Sequence, residues 1–327
     1  MLERACGFES RPGHAVTFDV MTLSLTLRDD VVALFPGQGS LGGGAGIAWC
    51  DSVHWRLVEE ISEAAGVDVS HLLLDADDAD LVRTDRAQLA TFALSLVGYH
   101  ELLDSGVRPR YLLGHSLGEF SALVASGLVS VDDGARLISV RGAAMARAAE
   151  ESAGSMIAVM GGDESARENL DDLEGAWVAN INGTGQIVLS GTPEGLNYVL
   201  TNHRHLGWRR ATALPVGGAF HSPLMASAQS ALDDALDALE WGETEQVIIA
   251  NVDGVAHSGA DDWRPLLSRQ LTSPVQFLDA TLALPSAVTT SVEMPPAGVL
   301  TGLTKRIRDF DRQVVAASPL DLQEASL

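Results

Sequence analysis

Apolar positions along the chain follow two patterns. Short unbroken apolar runs at 30–35 (DVVALF), 111–113 (YLL), 246–251 (QVIIAN) and 287–293 read as strands buried on both faces. Between them, apolar residues recur at helical spacing: within 51–104, where a long helix is expected from about Gln88 to Leu103, then after Ser116, from Ser130 to about Glu150, and over 224–240, 262–271 and 299–310. Strands alternating with helices predict an α/β fold with a mostly parallel sheet. The stretch 154–215 has a different rhythm: a strand at 154–160, a helix at 163–173, strands at 177–181 and 186–190 joined by Asn182-Gly183-Thr184-Gly185, a helix at 193–203 and a strand at 211–216. That β-α-β-β-α-β order predicts a small ferredoxin-like subdomain at 153–215, inserted into a large domain made of 29–152 and 216–315. Residues 1–28 are expected to be an extension outside the fold, with Met21 an alternative start, and 316–327 a tail.

Composition narrows the partners. The chain has 327 residues, 46% of them hydrophobic, and a formal net charge of −23. So negative a surface argues against nucleic acid or an anionic membrane as the main partner. No apolar run reaches transmembrane length, and charges scattered through 1–20 exclude a secretory signal. The cysteines, Cys6 and Cys50, suggest no disulfide framework, so a reducing compartment, the cytoplasm, is expected. Lys305 is the only lysine.

The chemistry is concentrated around 111–130. An apolar strand runs into Gly114-His115-Ser116-Leu117-Gly118, and an amphipathic helix follows. A serine on such a strand-to-helix elbow stands exposed at a helix N-terminus, with the first-turn N–H groups facing any negative charge that forms beside it. The flanking glycines allow the close approach of neighbouring backbone. The Pro36-Gly37-Gln38-Gly39-Ser40 loop formally matches part of a dinucleotide fingerprint, but glycines continue to Gly46 with no helix start, and a better use of the loop is to offer N–H groups to an anionic oxygen. On the helix from Ser130, Gly134, Ile138, Arg141, Met145 and Ala148 share one stripe, which puts Arg141 in the apolar face. There it is either a structural ion pair or a guanidinium awaiting a ligand carboxylate. Of nine histidines, His221, in the glycine-rich loop Gly217–Pro223, is the best general-base candidate. His203 and His205 read as solvated surface, and no metal site is expected.

With these residues in place, the chain resembles the malonyl-CoA:acyl-carrier-protein transacylases, discrete acyltransferases of fatty acid synthesis related to polyketide synthase acyltransferase domains. The resemblance covers about 30–315 and rests on seven motifs in order: LFPGQGS (34–40), GHSLGE (114–119), SVRGAAM (139–145), NINGTGQIVLSG (180–191), GAFHS (218–222), RQLTSPVQF (269–277) and VLTGLTKRI (299–307). The turn at 295–298 departs from the family's usual G-P-G.

The resemblance implies an α/β-hydrolase-like large domain and a ping-pong reaction through a Ser116 acyl-enzyme. Malonyl passes from malonyl-CoA to the phosphopantetheine thiol of an acyl carrier protein, with no bound cofactor. His221 would be the base, oriented by the Gln270 backbone carbonyl. The N–H groups of Gln38 and Leu117 would form the oxyanion hole, and Arg141 would hold the malonyl carboxylate. Phe220, Met145, Asn180 and Asn182 would line the acyl pocket, with Phe220 excluding a 2-methyl group. Alternatives are a trans-acting acyltransferase or acyl-hydrolase of a polyketide pathway, and an α/β-hydrolase esterase, which would need an acid between serine and histidine in chain order. Because carrier proteins are acidic, a local basic patch is expected from Lys305, Arg306 and Arg308 together with Arg204, Arg209 and Arg210.

Overall fold

A computed structural model of the protein describes residues 26–323. Strand β1 (Leu27–Phe35) leads to a 3-10 turn at Gln38–Ser40. Helices α1 (Arg56–Ala65), α2 (Val69–Leu74), α3 (Asp78–Leu81) and α4 (Thr84–Asp104) follow. Next come β2 (Arg108–Gly114), α5 (Leu117–Ala125) and α6 (Val131–Glu151). The middle of the chain forms β3 (Ser155–Met160), α7 (Glu164–Glu168), β4 (Ala176–Gly183), β5 (Gln186–Gly191), α8 (Pro193–Asn202) and β6 (Arg210–Ala213). The last part comprises α9 (Ala226–Asp237), β7 (Val247–Ile249), β8 (Ala256–His257), α10 (Ala260–Gln270) and α11 (Phe277–Leu282). β9 (Thr290–Glu293), α12 (Val299–Thr304), β10 (Arg312–Val315) and α13 (Pro319–Gln323) complete it.

The strands form two sheets. One has the order β10-β9-β1-β2-β7-β8, parallel throughout except at the β7–β8 edge. The other, β4-β5-β3-β6, is wholly antiparallel. The uninterrupted apolar run of β1 follows from its place in the middle of the parallel sheet. Val31, Ala33 and Phe35 enter the core on one face, Val32 and Leu34 the core on the other. Helix α4 is buried nearly all round and carries almost no hydrophilic face. Helix α6 starts at Ser130, whose hydroxyl accepts from Asp133 N at 3.1 Å and donates to the Asp133 carboxylate at 2.8 Å.

The two sheets meet where the N–H of Ile181 on β4 donates to Val275 O, and Val275 N to Ala179 O, both at 2.9 Å. The Ser190 hydroxyl on β5 donates to the carbonyl of Phe220. The cleft described below lies along this seam.

Several boundaries differ from those expected from sequence. The fold begins at Leu27, inside the expected extension, because Leu27 and Arg28 already pair with β2; Met21 and Cys6 lie outside the described residues. The expected tail from 316 is packed: Ala316 and Leu322 are buried in the main core. Cys50 is disulfide-bonded, where no disulfide framework was expected. β4 continues through Asn182 and Gly183, leaving only Thr184-Gly185 as the turn. The helix expected at 163–173 stops at Glu168, where Leu170 turns into the core of the second sheet and the Asn169 amide reaches Leu206 O at 3.4 Å. The last long helix stops at Thr304, because the Arg308 guanidinium is drawn to the carbonyls of Leu284, Pro285 and Val288. No helix among the described residues is long and apolar enough to cross a membrane.

The elbow between β2 and α5 leaves no room for side chains at its glycines. A Cβ on Gly118 would stand 1.9 Å from Phe35 O, and one on Gly114 would stand 2.0 Å from the Gly118 carbonyl carbon. Gly118→Ala is therefore expected to destabilise the protein by about 3 kcal/mol or more, or to prevent folding. Gly39→Ala, with nothing within 4 Å of the added carbon, should stay within about 0.5 kcal/mol. Thermal melts of the two variants beside the wild type check both.

Candidate active site

Ser116 stands at the N-cap of α5 with φ 53° and ψ −108°. It and His221 (φ 58°) are the only non-glycine residues with positive φ among the described residues. Each such conformation costs on the order of 1–3 kcal/mol and persists only where the surroundings over-determine it. At the elbow, the surroundings that do so are Phe35 and Asn251. His115 N donates to Phe35 O at 3.0 Å. The Asn251 side chain, at the end of β7, accepts from Ser116 N at 2.6 Å and donates to Gly114 O at 2.7 Å, so one amide clamps both sides of the turn.

The loop Gly217–Pro223 brings His221 to the serine, with Nε2 2.7 Å from Ser116 Oγ. On the far side of the ring, Nδ1 lies 2.8 Å from the backbone carbonyl of Gln270. A carbonyl can only accept, so Nδ1 carries the proton and Nε2 is left as the acceptor of the serine hydroxyl. Burial, and then the Arg141 guanidinium, push the imidazole pKa down to about 3, against the raising effect of the Gln270 carbonyl. The imidazole is thus neutral and held in one tautomer without a carboxylate.

Arg141 is 1% exposed. Its Nη1 donates to Gln88 Oε1 at 2.5 Å, and its Nη2 donates to Gln270 Oε1 at 2.8 Å and reaches Ser116 Oγ at 3.4 Å. The guanidinium lies over the Phe120 ring, 4.8 Å from its centroid. Among the described residues it makes no salt bridge, and its Nε has no hydrogen-bond partner. Burial lowers its pKa to about 10, with Glu119 opposing, so it remains cationic. Of the two readings of Arg141, the structural ion pair is absent. Glu119, the nearest candidate, spends its carboxylate on Asn251 N at 2.6 Å and Gln270 Nε2 at 2.5 Å. Burial pushes that carboxyl up to about 7, with the Asn251 and Gln270 donors and Arg141 acting against it.

A cavity of about 670 Å³ opens above the serine. Ser116, His221 and Gln38 line it, as do all four expected pocket residues, Phe220, Met145, Asn180 and Asn182. Arg141 and Gln270 stand behind its wall. Leu117 opens α5 and Gln38 opens the 3-10 turn, so neither N–H has an acceptor within its own helical turn. His115 ties the elbow to the second sheet, its Nε2 2.9 Å from Asn182 Oδ1. Among the described residues, no group of three or more His, Cys, Asp or Glu side chains is placed to hold a metal.

Three residues of the site are not evident from the motifs: Gln88, Glu119 and Asn251. All are fully buried. Each carries the largest polar side chain of a mostly apolar run, in QLATFALSLV, LGEFSALVA and VIIAN, and that is the signal by which a sequence could reveal them.

Comparison with known proteins gives concordant matches. The family described as "Acyl transferase domain" matches residues 32–317. A protein of Bacillus subtilis (strain 168), "Malonyl CoA-acyl carrier protein transacylase", is 35% identical over 303 residues, covering 90% of this chain and 96% of its own length. The crystal structure of a malonyl-CoA:acyl carrier protein transacylase from Xanthomonas oryzae pv. oryzae superposes with a TM-score of 0.85 at 34% identity, over 92% of this chain and 98% of the other. A type II polyketide synthase acyl-carrier protein in complex with its malonyl-transacylase also matches, with a TM-score of 0.85 at 29% identity over 91% of this chain and 99% of the other.

The depressed pKa of His221 has a consequence for stability. The folded imidazole stays neutral down to about 3, whereas the unfolded one binds a proton below its ordinary 6.5. Its contribution is therefore fully present above pH 6.5 and is lost as pH falls from there toward 3. Over that range the wild type should lose up to about 1.4 kcal/mol per pH unit more than His221→Gln. Denaturant unfolding of both proteins at pH 7.5 and 4.5 measures the difference, since the other titrating groups are common to the two.

Proposed function

We propose, from the premise that this chain belongs to the acyl transferase domain family, that it is an acyl-carrier-protein S-malonyltransferase working through a covalent Ser116 intermediate. It transfers malonyl from malonyl-CoA to the phosphopantetheine thiol of an acyl carrier protein. The observation that carries this reading is a buried, uncompensated guanidinium 3.4 Å from the hydroxyl of a preformed serine–histidine pair. An acyl group held there must itself supply a carboxylate.

In the mechanism, Ser116 Oγ attacks the thioester carbonyl while His221 Nε2 takes its proton. The N–H groups of Gln38 and Leu117 receive the developing oxyanion; one such donor is typically worth about 2.7–4 kcal/mol of barrier. Collapse breaks the C–S bond, and His221 returns the proton to the departing coenzyme A thiolate. The carrier thiol then attacks the malonyl ester, giving its proton to His221, and Ser116 leaves with that proton. Every proton and bond is accounted for by Ser116, His221 and the two substrates, so no cofactor is assigned.

Nε and Nη2 form one edge of the Arg141 guanidinium, and Nε has no protein partner. A malonyl carboxylate docked on that edge accepts two parallel hydrogen bonds, which an acetyl group cannot do. Phe220, buried in the cavity wall, limits the space beside the α-carbon. Met145, Asn180 and Asn182 complete the wall of the acyl pocket.

We also read the antiparallel sheet with α7 and α8 as a ferredoxin-like unit over 153–215, inserted in an α/β-hydrolase-like domain of 29–152 and 216–315. The order β4-β5-β3-β6 supports this. The reaction is assigned to the cytoplasm, in fatty acid synthesis. For the carrier dock, Arg308 drops out of the expected patch because its guanidinium is caged by three carbonyls. Arg306 remains, exposed and bonded to Gln186 of the cavity wall at 2.8 Å.

Brief mixing with malonyl-CoA should add one malonyl group to the wild type and none to Ser116→Ala, as read by intact mass, with discharge onto added holo carrier protein. Arg141→Ala should lose roughly a hundredfold in malonyl acylation relative to acetyl, the scale of one uncompensated buried charge contact. Absence of any adduct on the wild type would sink the reading. Arg306→Glu should raise the KM for carrier protein several-fold; an unchanged value removes it from the dock.

A further inference from the structure

Gln270 contributes to this site twice. Its backbone carbonyl holds His221, and its side chain makes three hydrogen bonds that allow only one orientation of the amide. Oε1 accepts from Arg141 Nη2 at 2.8 Å, while Nε2 donates to Ser116 O at 3.0 Å and to Glu119 Oε2 at 2.5 Å. Arginine offers only donors, so it needs the amide oxygen; the Ser116 carbonyl and an ionised Glu119 offer only acceptors, so they need the amide nitrogen. Glu119 is held in turn by a donor that cannot rotate, the backbone N–H of Asn251, 2.6 Å from Oε1. The same Asn251 clamps the nucleophile elbow through its side chain. Glu119 is fully buried and touches neither Ser116 Oγ nor the cavity, and the acyl-transfer steps above leave it without a role.

We infer that Glu119 is a positioning residue that sets which way the Gln270 amide faces, and thereby keeps the Arg141 guanidinium aimed at the acyl carboxylate. The inference rests on the malonyl-transfer reading. Its basis is a count of acceptors. Two N–H donors, one from Asn251 and one from Gln270, converge on the two oxygens of Glu119. An amide at 119 has a single oxygen, and the backbone N–H of Asn251 claims it. The new NH2 then faces Gln270, which must turn its own oxygen toward it and present its NH2 to Arg141. Two donors are now opposed at the guanidinium, and the selector loses its support while the Gln270 carbonyl on His221 is untouched. A glutamate at 119 that merely filled space would transmit no such reversal.

The test is the rate of acyl-enzyme formation with malonyl-CoA and, separately, with acetyl-CoA, by quenched-flow intact mass on the full chain. Glu119→Gln should lower malonylation at least tenfold more than acetylation. Parallel losses with the two thioesters, or no loss, would overturn the inference in favour of a packing role. If Glu119→Gln does not fold, Gln270→Asn keeps the carbonyl on His221 but withdraws the amide from Arg141 and Glu119; it should show the same selective loss, and an unchanged malonyl-to-acetyl ratio overturns the inference. Failure of the underlying functional reading is distinct: the wild type would then form no acyl-enzyme with either thioester.

Discussion

A guanidinium sealed from water without a counter-ion is the constraint on which the rest of this site depends. Isolated buried charge is costly, and the fold meets the cost for Arg141 with amide oxygens and an aromatic face instead of a carboxylate. The amides must themselves be satisfied, which extends the network in both directions. Gln88 donates to Thr84 Oγ1 at 2.9 Å, and Thr84 donates to the Gln38 side chain at 2.8 Å, reaching the loop assigned to the oxyanion. On the other side, Gln270, Glu119 and Asn251 lead to the backbone of the nucleophile. A carboxylate paired directly with Arg141 would have made a more ordinary core, but it would also have occupied the position proposed for the acyl carboxylate.

The second cost is conformational. Ser116 and His221 hold positive φ within hydrogen-bond distance of each other, and the elements that impose this arrive from opposite ends of the chain. β1 presses Phe35 O against Gly118, the turn after β7 supplies Asn251, and α10 ends with its Gln270 carbonyl facing the imidazole. With every group already oriented, little reorganisation remains for the chemical steps. The same preorganisation explains why the base can dispense with an acid partner. One carbonyl fixes its tautomer and favours the protonated ring, against the nearby guanidinium, which holds the resting ring neutral.

Much of this was legible in the sequence where the signal is local. The elbow, the buried strand before it, the arginine in an apolar helical stripe and the histidine in a glycine-rich loop all carry their meaning within a few residues. Arg141 could be placed in the core by spacing alone, but not in the site, because what faces it comes from Gln88 and Gln270, 53 and 129 residues away. Glu119 illustrates the same limit. It lies inside a recognised motif, yet only the fold shows that it meets Gln270 and Asn251. The misread helix ends have a tertiary cause too: the run after Thr304 is compatible with a longer helix until the carbonyls near 285 capture Arg308.

The acidity of the chain bears on what the site can recognise. Many of the described arginines are committed to acidic neighbours or carbonyls, as in Arg28–Asp30, Arg83–Asp85 and the caged Arg308. A surface so negative repels coenzyme A and an acidic carrier alike, so attraction has to be local and short-ranged. Arg306 at the cavity wall and the Arg204 and Arg209 pair flanking Trp208 are exposed positions that could supply it. Recognition is then divided by depth. In the proposed reading, a few surface cations set against a repulsive background favour the approach of the carrier, and one uncompensated cation at the bottom selects the acyl group held. Because the proposed surface cations and the buried one share no residues, this reading allows the carrier served to change by surface substitution while the acyl group selected stays the same.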